Sequence, residues 1–315
     1  TRIPSSAASD VYKRQYELRV LKPVCGNYRV YKICSMPPPS SGGIALIQML
    51  NILENLDIDK FQHNSEKYLL NLISAMDYAF FDRAKYLGDP DFFNVPQELL
   101  ISKQYAKDIS IKIKNKEELQ KIKITVSESE ETTHFSIVDK WGNAVSNTYT
   151  LNTAYGSGIV PTGTGILMNN EMDDFSSKPG YPNVYGLIGS EANKIEPKKT
   201  PLSSMTPVIV FKEDKPFLVT GSPGGSTIIT AVLQELLNVL DFNMSLSESS
   251  KKSKIHFQHL PDIVFYEKLD NETLKSLKTK KRMLQRKLGE IHSILVNENN
   301  IEAFSDNRRP DGKAS

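Results

Sequence analysis

Cysteine is almost absent: Cys25 and Cys34 are the only two in 315 residues. Two cysteines cannot staple a small loop-rich scaffold together. They flank Gly26-Asn27-Tyr28-Arg29, which reads as a turn between two short strands. A hairpin disulfide there depends on a register that the sequence leaves open. Neither cysteine stands in a CxxC pattern and the five histidines are scattered, so no metal site and no cofactor is expected. A long apolar run is missing too. A membrane span takes about 18 apolar residues, and the stretch 44–56 is broken by Gln48, Asn51 and Glu54. Nor does one sign of charge dominate: 39 basic residues face 37 acidic ones. That balance argues against a nucleic-acid-binding surface, and runs such as Lys280-Lys281-Arg282 read as solvated faces. What remains is 39% hydrophobic and 24% charged, an ordinary globular composition.

Residues 1–15 are polar, lack periodicity and contain no signal peptide; they read as a non-native leader, outside fold reasoning. Residues 16–36 read as two short strands. Pro37-Pro38-Pro39 then holds the backbone extended, and Ser40 or Ser41 can cap the helix that follows. Leu46, Met49, Leu50, Leu53 and Leu56 recur at helical spacing, as do Leu69, Leu72, Ile73, Met76 and Phe80 over 65–83. A third helix is expected near Pro96. Residues 107–131, rich in Lys and Glu, read as an exposed linker. Strands follow: 133–139 and 144–150 alternate about Trp141-Gly142-Asn143, and 208–211 and 217–220 flank a turn. Gly224-Gly225 opens a helix carrying Ile229, Val232, Leu233, Leu236 and Leu240. A helix over 272–288 and a strand pair around 293–304 complete the reading, an α+β layered arrangement.

Chemistry is densest where the acidic linker meets the first of those strands, at Glu131-Thr132-Thr133-His134. A threonine hydroxyl is a poor nucleophile without a neighbouring base. Cleavage before Thr132 would supply one, its own α-amine, whose pKa of about 7.7–8.0 leaves part of it free at neutral pH. Alone, a threonine at a strand start is an ordinary β-former. Likewise Gly224 and Gly225 read either as a plain turn or as amides at a helix N-terminus open to an oxyanion.

The motifs decide between such readings only together. Thr132-Thr133-His134-x-Ser136-x-x-Asp139, Thr150-Leu151-Asn152, Asn169-Asn170-Glu171-Met172-Asp173-Asp174-Phe175, Pro201-Leu202-Ser203-Ser204-Met205 and Gly221-Ser222-Pro223-Gly224-Gly225 resemble the γ-glutamyltranspeptidase family in order and spacing. Residues 35–43 and Tyr86-Leu87-Gly88-Asp89-Pro90 resemble the C-terminal end of that family's large subunit. The resemblance runs over 16–315 and is weakest at 107–131 and 244–258.

The resemblance implies an αββα four-layer sandwich of the N-terminal-nucleophile hydrolase type, incomplete at its N-terminus, as in a truncated bacterial-type proenzyme. Residues 16–131 would be the end of the large subunit with its linker, and 132–315 the small catalytic subunit. It implies self-cleavage between Glu131 and Thr132, with Thr132 as nucleophile supported by Thr150 and with Gly224 and Gly225 as the oxyanion site. Asn152, Glu171 and Asp174 would hold a substrate ammonium. Ser203 and Ser204 would hold its carboxylate, and Tyr185 would lie in a lid over 179–190. The implied substrates are glutathione and other γ-glutamyl compounds, with water or an amino-acid or peptide acceptor. The implied partner is the chain's own large subunit, and the implied location is periplasmic or secreted. No residue here matches the family's carboxylate-binding arginine; Arg29, Arg83 and Arg308-Arg309 lie outside its motif. Two other readings stand beside this one: a related acylase acting on glutaryl groups, and an inactive fragment that does not mature.

Overall fold

The computed structural model describes residues 18–119, 132–297, 300–306, 308 and 312–315. The leader 1–15 and Glu131 lie outside the described residues, as do 120–130 of the linker.

Strands β1 (Val24–Tyr28) and β2 (Tyr31–Ser35) form a hairpin whose register sets Cys25 opposite Cys34, and the two are joined by a disulfide. Helix α1 (Gly42–Asn55) follows the proline run with Ser41 as N-cap. The Ser41 side chain does not close the helix; its hydroxyl donates to Ser203 O at 2.7 Å. In α2 (Glu66–Tyr86) the Ser65 hydroxyl does cap, accepting from Tyr68 N. Helices α3 (Gln97–Leu100) and α4 (Lys103–Lys114) come next. The second corrects the linker reading: Ser102 caps it, Ala106 and Ile109 are buried one turn apart, and the lysines face outward.

Beyond the linker come β3 (Thr133–Val138) and β4 (Ala144–Tyr149), then β5 (Val208–Lys212), β6 (Lys215–Gly221) and α5 (Thr227–Leu240). The remainder is α6 (Leu246–Lys251), β7 (Ile255–His256), β8 (Val264–Tyr266), α7 (Asn271–Lys278), β9 (Met283–Gln285), β10 (His292–Asn297) and β11 (Asn300–Ser305). The helix expected over 272–288 thus stops at Lys278, and 283–285 pairs in parallel with β8.

Six strands make one sheet in the order β1-β2-β5-β6-β10-β11. Helices α1, α2 and α5 cover one face of it. The periodic residues Leu46, Met49, Leu50, Leu53, Leu72 and Leu236 all lie in that core at 1% exposure or less. Helix α5 is buried on every side. Its polar residues are accordingly paired: Gln234 exchanges hydrogen bonds with Ile255 N and O, and Asn238 bonds His63 and Ser249.

The hairpin β3–β4 lies on the other face. It turns its polar side inward: Ser136 donates to His292 O at 3.0 Å and Ser146 to Thr220 O at 2.9 Å. His134 packs so closely that a Cβ on Gly221 would stand 2.2 Å from its ring. The apolar side chains Phe135, Ile137, Val145 and Tyr149 point outward, 40–57% exposed. Among the described residues β3 pairs only with β4. Thr132 stands at the head of this hairpin, directly before β3.

Candidate active site

Thr132 immediately precedes β3, and Thr150 immediately follows β4. The antiparallel register, Thr133 opposite Tyr149, brings them together, and the Thr132 hydroxyl donates to Thr150 Oγ1 at 3.3 Å. Asn152 N donates to the same Oγ1 at 2.9 Å. Asn152 is buried at a positive φ of 78°, a conformation that asparagine tolerates.

Glu171 and Asp174 share one 3-10 turn. Asn193 Nδ2 anchors that turn through Asp174 O at 2.7 Å. Burial, then the hydrogen-bonded Glu171 carboxylate, pushes the Asp174 carboxyl well above the usual range, and the Arg83 charge opposes this. Burial also raises Glu171. Two acids so placed cannot both ionise freely, so the pair retains a proton beyond the ordinary carboxylate range.

The segment 179–190 folds back on itself, with Asn183 N bonded to Leu187 O at 3.0 Å. Asp173 pins it through Val184 N at 2.8 Å. Tyr185 is buried; its hydroxyl donates to Asn152 O, and its carbonyl accepts from Gln258 Nε2. Gly225 lies under the same ring at a φ of 55°, where a Cβ would stand 2.5 Å from Tyr185 Cε1. Only glycine meets both conditions. Gly224 precedes it at a φ of 131°. Among the described residues neither amide donates to a protein group, which leaves two N–H groups at the head of α5 for a ligand.

Ser203 and Ser204 are held by the segment before α1. Ser41 N and Oγ both donate to Ser203 O, and Ser203 N donates to Pro39 O. Arg83, near the end of α2, donates from Nε to Ser41 Oγ at 2.9 Å and from Nη2 to Ser204 Oγ at 3.2 Å.

One cavity of about 20 Å³ gathers Thr132, Thr150, Asn152, Asp174, Tyr185, Ser203, Ser204 and Gly225. Glu171 and Gly224 adjoin it through Asp174 and Gly225 without lining it. His134, His256 and His259, which carried no functional expectation, are held in structural bonds: His134 by Thr148 and Ser136, His256 by Thr230 and Gln258, and His259 by Asp77. Burial takes His134 down to about 3, so it stays neutral. The sequence reading missed Arg83, Ser41, Asp173 and Gln258 as supports of the site.

The model of the gamma-glutamyltranspeptidase family matches residues 9–315. The chain belongs to that family. The glutathione hydrolase proenzyme of Escherichia coli (strain K12) is 50% identical to it over 282 residues, 87% of this chain and 49% of that protein. A crystal structure of the Helicobacter pylori gamma-glutamyltranspeptidase T380A mutant is 48% identical and aligns with a TM-score of 0.55, covering 56% of this chain and 100% of that one. The cephalosporin acylase of Bacillus halodurans, 22% identical, aligns with a TM-score of 0.77 over 95% of this chain and 53% of its own, and so shares the fold. The α+β class holds. This chain spans about half the length of the glutathione hydrolase proenzymes it matches.

Proposed function

We propose that this chain carries the catalytic machinery of γ-glutamyl transfer, from glutathione and other γ-glutamyl amides to water or to an amino-acid or peptide acceptor. The observation that supports it is the single cavity in which Thr132 meets Asp174, Ser203, Ser204 and Gly225. In this reading the Thr132 hydroxyl attacks the carbonyl of Glu131, the peptide becomes an ester, and water opens it. The freed α-amine of Thr132 then serves as base. The hydroxyl attacks the γ-carbonyl of the substrate, with the Gly224 and Gly225 amides facing the developing oxyanion. The leaving amine takes the proton, and water or an acceptor amine resolves the γ-glutamyl-Thr132 ester. Thr150 orients the nucleophile. Residues 16–131 and 132–315 become the end of the large subunit and the small subunit.

Asp174, Glu171 and Asn152 suit an ammonium because each offers an oxygen acceptor and the carboxyl pair supplies negative charge. A glutaryl group carries no ammonium, so this acidic pair favours γ-glutamyl over glutaryl substrates. Tyr185 lines the same cavity as Thr132, and the Pro- and Gly-containing segment that bears it suits a lid that moves as substrate enters. An exported location, periplasmic or secreted, agrees with the Cys25–Cys34 disulfide, since such bonds persist in oxidising compartments. No helix among the described residues is long and apolar enough to cross a membrane.

The test is Asp174→Asn in the chain extended to its relatives' full length. Losing a charge-assisted hydrogen bond should lower γ-glutamyl turnover roughly ten- to a hundred-fold and spare a glutaryl amide. Equal losses on both substrates would make Asp174 structural. Faster turnover of the glutaryl amide by the unmodified protein would favour the acylase reading.

A further inference from the structure

Arg83 is a buried cation, 5% exposed, and among the described residues no carboxylate lies in salt-bridge contact with its nitrogens. Buried charges are normally paired. Burial draws its pKa down to about 10, which leaves it charged at neutral pH. Its hydrogen bonds run instead to two serine hydroxyls, Ser41 Oγ at 2.9 Å and Ser204 Oγ at 3.2 Å.

The direction of those bonds matters. A guanidinium can only donate, so both hydroxyls accept from it and must send their own protons elsewhere. Ser41 sends its proton to Ser203 O, 2.7 Å away. Ser204 has no other hydroxyl partner among the described residues, and it lines the cavity beside Thr132. Ser203 Oγ likewise accepts from Met205 N at 3.1 Å, so its proton is also left to donate. Two hydroxyls with protons left to donate, beside a buried cation that no carboxylate contacts directly, form a receptor for an anion.

We propose that Arg83 is a positioning residue for substrate: it fixes the Ser204 hydroxyl as a donor, and through Ser41 it holds Ser203 in place, so that the serine pair receives the α-carboxylate of a γ-glutamyl donor. This rests on the γ-glutamyl-transfer reading of the site. Arg83 acts on binding through Ser204, and it takes no part in bond making at Thr132. It is separate from the arginine that the family resemblance leaves unmatched in this chain.

The test uses the chain extended to its relatives' full length and two chromogenic amides, γ-glutamyl-4-nitroanilide and 4-aminobutyryl-4-nitroanilide. The second keeps the ammonium and lacks the α-carboxylate. Arg83→Gln should raise KM for the first about tenfold, the effect of one charge-assisted hydrogen bond, with kcat little changed. KM for the second should move much less, because there the variant only removes the charge that favours the ionised Asp174 carboxyl. Arg83→Gln combined with Ser204→Ala should fall short of the product of the two single losses, because part of the arginine's effect passes through that hydroxyl. Arg83→Lys keeps the charge but not the planar fork, and covers the case in which the glutamine variant does not mature; it too should raise KM for the first amide only. Losses that multiply in the double variant, equal losses on both amides, or a lysine variant indistinguishable from the parent would each overturn the inference. An unmodified protein inactive on the γ-glutamyl amide would instead overturn the underlying functional reading, and is seen before any variant is compared.

Discussion

Asp174 and Glu171 occupy one 3-10 turn, and their proximity has a consequence for stability apart from catalysis. Burial and the Glu171 carboxylate raise Asp174 above its unfolded value. A carboxyl raised in this way supports the folded state fully below its unfolded pKa, about 3.9. That support is lost as pH rises through the folded value. Asp174→Asn removes the loss. The ligand-free variant should therefore melt above the parent at neutral and mildly alkaline pH, with the gap closing towards about pH 4. Thermal melts across that range check it; a gap that is constant with pH contradicts the charge assignment. The same substitution that lowers turnover should thus stabilise the empty site, as expected where function holds like charges together.

At the level of elements, the hairpin β3–β4 places Thr132 and Thr150 together, so its seating on the six-stranded sheet governs the site. Gly221 permits that seating, since a Cβ there would meet His134 at 2.2 Å. Gly221→Ala should cost roughly 1–3 kcal/mol by overpacking, read by urea denaturation, and should lower turnover because Thr132, the proposed nucleophile, moves with the hairpin. An unchanged denaturation midpoint would contradict the packing.

Helices α1, α2 and α5 were legible in the sequence because each carries an unbroken 3.6-residue apolar pattern. Helix α4 was not, because its lysines mask the short buried stripe of Ala106 and Ile109. The strand at 283–285 was hidden because three residues give no periodicity. In the hairpin the alternation was readable, but its facing was not. Its polar residues serve the neighbouring sheet, and Phe135 and Ile137 turn outward. Most candidate site residues were reachable by motif. Arg83 was not, because its partners lie 42 and 121 residues away along the chain.

Over the whole molecule, helices, a six-stranded sheet and a two-stranded hairpin stack in that order, and the hairpin's outer face exposes Phe135, Ile137, Val145 and Tyr149. In the proposed function Thr132, at the head of that hairpin, is both the point of cleavage and the nucleophile. The most direct measurement is N-terminal sequencing of the chain extended to its relatives' full length, after it has been left to mature. Two polypeptides are expected, the smaller beginning Thr-Thr-His-Phe, and a single uncut polypeptide for Thr132→Ala. A Thr132→Ala protein that still divides, or a small polypeptide beginning at any other residue, would contradict the proposal.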